Sequence, residues 1–159
     1  MNNALDRIQQ STWIDSWVFP YESIWSLIHK FGNLNWISCL ELKKTLAKEG
    51  GDIKGHLKNP SKYGKWNLLS AEGFDFNKIR ELLNLPGYVV EMGLVSTIIG
   101  KDELALLTAT KHLRYCPHCI SVGFHSIFHQ LYAIKNCPIH DRPLIEFCRY
   151  CKKRFLMSC

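Results

Sequence analysis

Apolar residues recur every third or fourth position from Ile24 through Leu27 and Ile28 to Phe31, the spacing that lines one face of an α-helix. Upstream, Trp13, Trp17, Val18 and Phe19 form an aromatic lead that ends at Pro20, where a helix can begin because its first amide has no helical partner. Gly32-Asn33 predicts the left-handed stop, and Trp25 sits beside the apolar stripe; these aromatics read as core in preference to a base-stacking platform. A second amphipathic helix is expected from Ser38 to Lys48, with Leu42 and Leu46 inward and Lys43, Lys44 and Lys48 outward, ending at Gly50-Gly51. Cys39, within it, reads as a small hydrophobe.

From Gly51 to Ser70 the pattern breaks up. Gly55, Pro60 and Gly64 interrupt Lys54, Lys58, Lys62 and Lys65, a basic loop that is either a solvated surface or a track for a phosphate backbone beside Tyr63 and Trp66. Helical spacing returns from Phe76 to Asn84, where Ile79, Leu82 and Leu83 share a face and Asp75 or Asn77 offers a cap. Leu85-Pro86-Gly87 turns the chain into a further apolar segment, Tyr88 to Ile99, which together suggest a helix-turn-helix unit. That second helix carries no Arg, Lys, Asn or Gln to read base edges, so the unit is expected to serve as scaffold or protein contact. A last helix from Asp102 leads on through Lys111 and Arg114.

Composition changes this picture modestly. With 47% hydrophobic and 21% charged residues among 159, a packed soluble fold is expected and disorder is not. Lys and Arg exceed Asp and Glu by 20 to 14, a net charge of +6 that favours an anionic partner. No apolar run approaches a membrane span and the polar start lacks the order of a secretory signal, so a cytoplasmic protein is expected.

Cysteine placement changes the picture most, because six of the seven fall after residue 115. Cys116-Pro117-His118-Cys119 and Cys137-Pro138-Ile139-His140 are two tight knuckles, and four such ligands close a tetrahedral zinc shell. Cys116, Cys119, Cys137 and His140 are the expected ligands of a first structural zinc, with thiols held reduced in a cytoplasmic setting. Cys148, Cys151 and Cys159 are those of a second, whose fourth ligand is water, the terminal carboxylate, His118 or a residue of a longer protein. A competing first shell of Cys116, Cys119, His125 and His129 leaves five residues between Cys119 and His125, too few for the hairpin and helix of a two-Cys two-His finger.

The Cys-Pro-His-Cys knuckle, Gly123-Phe124-His125-Ser126, His129-Gln130-Leu131, Cys137-Pro138-Ile139-His140, Leu144 and Cys148-x-x-Cys151 together resemble the TniQ family. Pro20-Tyr21-Glu22-Ser23-Ile24 is similar to that family's opening helix. The resemblance implies a non-catalytic target-site selection factor of transposons. Such a protein links the AAA+ ATPase transposition regulator to a DNA-bound reader, to target DNA, or to an RNA-guided CRISPR effector complex. A second cysteine pair would normally close the second site, and its place is taken here by Cys159, the last residue of the sequence.

The expected architecture is therefore mainly α, with an N-terminal helical, helix-turn-helix-like domain over 1–111 and a zinc-finger region over 112–159. Three functions remain open. The adaptor would dock its regulator through Trp13, Trp17 and Phe19, since buried aromatics anchor interfaces, unless these rings only close the core over the opening helix. A direct, sequence-independent DNA binder would use backbone contacts from Arg149, Lys152, Lys153 and Arg154 and from Lys54, Lys58, Lys62 and Lys65. A zinc hydrolase would need His125 and His129 around an open ion, but no Glu follows the first histidine as that pattern requires.

Overall fold

The structure, a computed structural model, describes residues 11–48, 73–94, 110, 112–148 and 150–154. The lysine loop with Lys54, Lys58, Lys62 and Lys65, the helix expected from Asp102, and Arg149 and Cys159 lie outside the described residues. Those described are mainly helical. Among the described residues five α-helices form: α1 (Ile24–Leu34), α2 (Cys39–Leu46), α3 (Phe76–Leu83), α4 (Gly87–Met92) and α5 (Pro117–Ser121). Among the described residues strand pairing is confined to isolated antiparallel contacts.

The first helix starts later than Pro20 suggests. Ser23 caps α1 by accepting the Ser26 N–H, and the Ile24 N–H, an orphan of the first turn, donates to the Gly93 carbonyl at 3.1 Å. Nor do Gly32 and Asn33 stop it. The helix runs on to Leu34 and the left-handed residue is Trp36, at φ 53°. Gly32 serves a close approach instead, because a Cβ there would lie 2.8 Å from Leu42 Cδ1 and 3.0 Å from the Ile37 carbonyl.

The second helix opens with a capping box, in which Ser38 and Glu41 satisfy each other's backbone amides, and Leu42 and Leu46 point inward as expected. Lys43 departs from expectation: it is buried, and burial lowers its pKa. Cys39 is disulfide-bonded and not a lone apolar thiol. Asp75 caps α3 through the Asn77 and Lys78 amides, and left-handed Asn84 ends it. The segment expected to continue as helix from Tyr88 instead turns at Gly93, whose carbonyl is committed to Ile24. The fully buried Leu27, Phe31, Leu46, Ile79, Leu83 and Val90 join α1 to α4 in one core.

The chain from Pro20 to Ser26 is the seam between this core and the cysteine-rich region. Glu22 pairs with Ser126, the Ser23 N–H donates to the His125 carbonyl at 2.8 Å, and the Ile127 N–H donates to the Tyr21 carbonyl at 3.0 Å. Phe19 meets Phe124 edge to face with centroids 5.8 Å apart, and Tyr21 lies 5.0 Å from Phe128. Beneath them the buried Glu22 carboxylate accepts from Ser26 Oγ at 2.7 Å and pairs with Lys30 at 2.8 Å, so its charge is balanced where water is excluded.

Candidate metal centre

Each knuckle has a local cause. Cys116 is the N-cap of α5 and Pro117 its first residue, while Gly123 at φ 70° turns the chain back so that the Phe124 N–H reaches the Cys119 carbonyl at 3.0 Å. The other knuckle is a hairpin. The Cys137 N–H donates to the Arg142 carbonyl at 2.7 Å and the Asp141 N–H to the Cys137 carbonyl at 2.8 Å, with Asp141 left-handed at φ 44°.

Together they bring Cys116, Cys119, Cys137 and His140 to one point, with their four donor atoms within 4.8 Å of one another. Cys119 Sγ lies 3.6 Å from Cys137 Sγ and 3.3 Å from His140 Nδ1, which is itself 3.6 Å from both Cys116 and Cys137. Sulfur and nitrogen ligands placed tetrahedrally about one zinc would be about 3.6–3.8 Å apart, so the donor set is sized for an ion of that kind. The three thiols are buried and His140 is exposed, leaving the imidazole as the solvent-side wall.

Electrostatics agree. Burial pushes the Cys116 thiol up, but the Cys119 and His118 amides and the neighbouring thiols outweigh it and its pKa is lowered. Burial and the nearby Cys137 and Cys116 raise Cys119 strongly. Three thiols this close resist ionising together without a cation, and a divalent ion reverses that resistance.

Behind the ligands, a buried chain of hydrogen bonds runs from α1 to the first knuckle. His125 Nε2 lies 2.8 Å from the Arg114 carbonyl, which only accepts, so that nitrogen carries the proton. Nδ1 then accepts the Ser23 hydroxyl at 2.7 Å, and Ser23 Oγ in turn accepts the Ser26 amide. Burial, and after it His129, lower the His125 pKa to about 3, which keeps the ring neutral. Arg114 Nη1 and Nη2 donate to the carbonyls of Leu131 and Ile134 at 2.8 and 2.7 Å, clamping the segment that delivers Cys137. Its Nε is 2.9 Å from Glu146, an ion pair without the alignment of a hydrogen bond. His129 is placed with Nε2 4.0 Å from Cys119 Sγ, behind a ligand and not among the four converging donors.

Cys148 and Cys151 sit on a hairpin built like that of Cys137. The Cys148 N–H donates to the Lys153 carbonyl, the Lys152 N–H to the Cys148 carbonyl, Lys152 is left-handed at φ 58°, and Phe147 pairs with Arg154. Those offsets match Cys137, Arg142, Asp141 and the Asn136–Pro143 pair position for position. The Cys151 and Tyr150 amides lower the Cys148 thiol, as the Cys119 and His118 amides act on Cys116. Both thiols are free.

Of the remaining residues singled out by sequence, Lys152, Lys153 and Arg154 are exposed on this hairpin. Trp13 and Trp17 are half-buried and meet edge to face at 5.9 Å, with Trp13 also 5.8 Å from core Phe31. Phe19 is 53% exposed and lines an apolar cleft of about 330 Å³ with Pro20, Val122, Phe124 and Ile139 beside Cys119 and His140. Neither Ser23 nor Arg114 carries a site role in the sequence pattern; both acquire one only through their buried partners. Among the described residues no helix is long and apolar enough to cross a membrane. No known family's sequence profile and no curated protein matches the chain.

Proposed function

We propose that this chain is a non-catalytic adaptor in DNA transposition, of the TniQ type, that joins the AAA+ ATPase regulator to a target reader such as an RNA-guided effector complex. One observation carries this reading. The two distant stretches that bear the resemblance, Pro20–Ile24 and Gly123–Gln130, meet through the Glu22–Ser126 pair and the Ser23–His125 bonds and belong to one seam. Phe19, Val122 and Ile139, exposed beside the metal ligands, offer the regulator an apolar docking surface. Co-purification of the regulator with the wild-type chain tests it. Phe19→Ala with Val122→Ser should abolish recovery while metal content and helicity stay unchanged, and undiminished recovery would reject that surface.

Three soft thiolates and an imidazole select zinc, and four protein ligands leave no position for an activated water, so the ion is structural. The matching hairpin, whose Cys148 and Cys151 thiols are free, would be a second zinc knuckle. Native mass spectrometry should find at least one zinc per chain.

A second reading, direct nucleic-acid binding, is favoured by Lys152, Lys153 and Arg154, exposed together on one hairpin.

A further inference from the structure

The two knuckle hairpins share a backbone but display different chemistry. At the third knuckle position one presents Ile139, 61% exposed over the apolar cleft, and the other presents Tyr150, 95% exposed. After the first come Asp141 and Arg142, whose charges cancel; after the second come Lys152, Lys153 and Arg154, all positive.

We propose that the 147–154 hairpin binds single-stranded nucleic acid, with Tyr150 stacking on an unpaired base while Lys152 and Lys153 hold the flanking phosphates. This rests on the nucleic-acid reading and deepens it. The hairpin is fixed at both ends by the Cys148–Lys153 and Lys152–Cys148 bonds at 2.9 and 3.0 Å, so the ring is displayed on a prepared turn. Arg154 lies over the Phe147 ring at 5.2 Å, which occupies that pair with each other. Among the described residues, no aromatic ring stacks on Tyr150 and no acidic side chain pairs with Lys152 or Lys153. A free ring face flanked by cations is the pairing that single-strand binders use, because each base offers a π-face and each linkage a phosphate. Duplex bases are already stacked and would have to be opened first.

The test is fluorescence anisotropy of the full zinc-loaded chain with oligo-dT, oligo-rU and a DNA duplex of equal length, at one salt concentration. Tighter binding of either single strand than of duplex is expected, and the two oligonucleotides distinguish DNA from RNA as the source. Tyr150→Ala should weaken single-strand binding about five- to a hundredfold with little change on duplex. Tyr150→Trp should retain it. Lys152→Ala with Lys153→Ala should weaken all three probes. Zinc content of Tyr150→Ala serves as the fold control, since the Tyr150 group that bonds Cys148 is its backbone amide. If the lysine variant weakens binding and Tyr150→Ala does not, backbone binding stands and stacking is overturned. If the wild type binds none of the probes, both fail, and the hairpin then suits an acidic protein surface.

Discussion

His125 reads from the sequence as one of two histidines a helical turn apart, and burial converts it from a candidate ligand into a structural joint. An unfolded histidine takes its proton near pH 6.5, the folded ring only near 3. Between those values the unfolded chain binds the extra proton, so this group's contribution is intact above about pH 6.5 and declines as pH falls toward 3, by up to about 1.4 kcal/mol per unit. Acid also protonates the thiolates, so the ring itself must be observed. Long-range proton–nitrogen spectra of the zinc-loaded protein at about pH 5 should show His125 neutral with its proton on Nε2, whereas an imidazolium signal there would contradict the assignment. Ser23→Ala removes a helix cap and leaves Nδ1 buried without a donor, so thermal unfolding should register a loss of about 1–3 kcal/mol. That Cys116, Cys119, Cys137 and His140 converge on one point was legible because knuckle spacing is local chemistry. Ser23 and Arg114 were not, because their partners lie 102 residues away for Ser23 and 17 and 20 residues away for Arg114.

Helix interiors were legible in the same way, and helix ends were not. Asp75 and Ser38 cap α3 and α2 as their side-chain oxygens suggest, since a cap acts over two or three residues. The glycines misled, because the same residue type serves a left-handed stop or a close approach and only the neighbour decides. Gly93 looked like the interior of a longer helix. A Cβ there would lie 2.7 Å from the Glu22 carbonyl and 3.1 Å from Ile24 Cδ1, and backbone on one side cannot yield. Gly93→Ala should therefore cost roughly 1–3 kcal/mol in denaturant unfolding and disturb the Ile24 amide, read by its hydrogen-exchange rate. Gly32→Ala meets a movable Leu42 methyl as well as the Ile37 carbonyl and should cost less. A Gly93→Ala protein of unaltered stability would show that the turn has room the structure denies.

The sequence suggests a helical domain and a metal-dependent one, divided near residue 111, and the seam bears on how they would respond to metal loss. A region as small as 112–159 buries too little apolar surface to stand alone, and a structural zinc contributes about 10–16 kcal/mol in comparable peptides. That is comparable to the whole stability of a typical domain, about 5–15 kcal/mol, so removing it should unfold the cysteine-rich region. The consequence spreads through named contacts. Without an ordered His125, Ser23 loses its buried acceptor and the carbonyl that takes its amide, and Glu22 loses its Ser126 pairing, all at the first turn of α1. Since α1 supplies Ile24, Leu27, Ile28 and Phe31 to the core, its loosened start weakens the packing of α2 and α3 as well. Titration with a strong zinc chelator should lower far-ultraviolet helical signal and shift tryptophan emission in one coincident transition, to which Trp25, 5.3 Å from His125 at the seam, contributes. Readdition of zinc should restore both. Full retention of helical signal and of tryptophan emission after stoichiometric metal loss would mean that the seam carries no coupling and that the two regions fold independently.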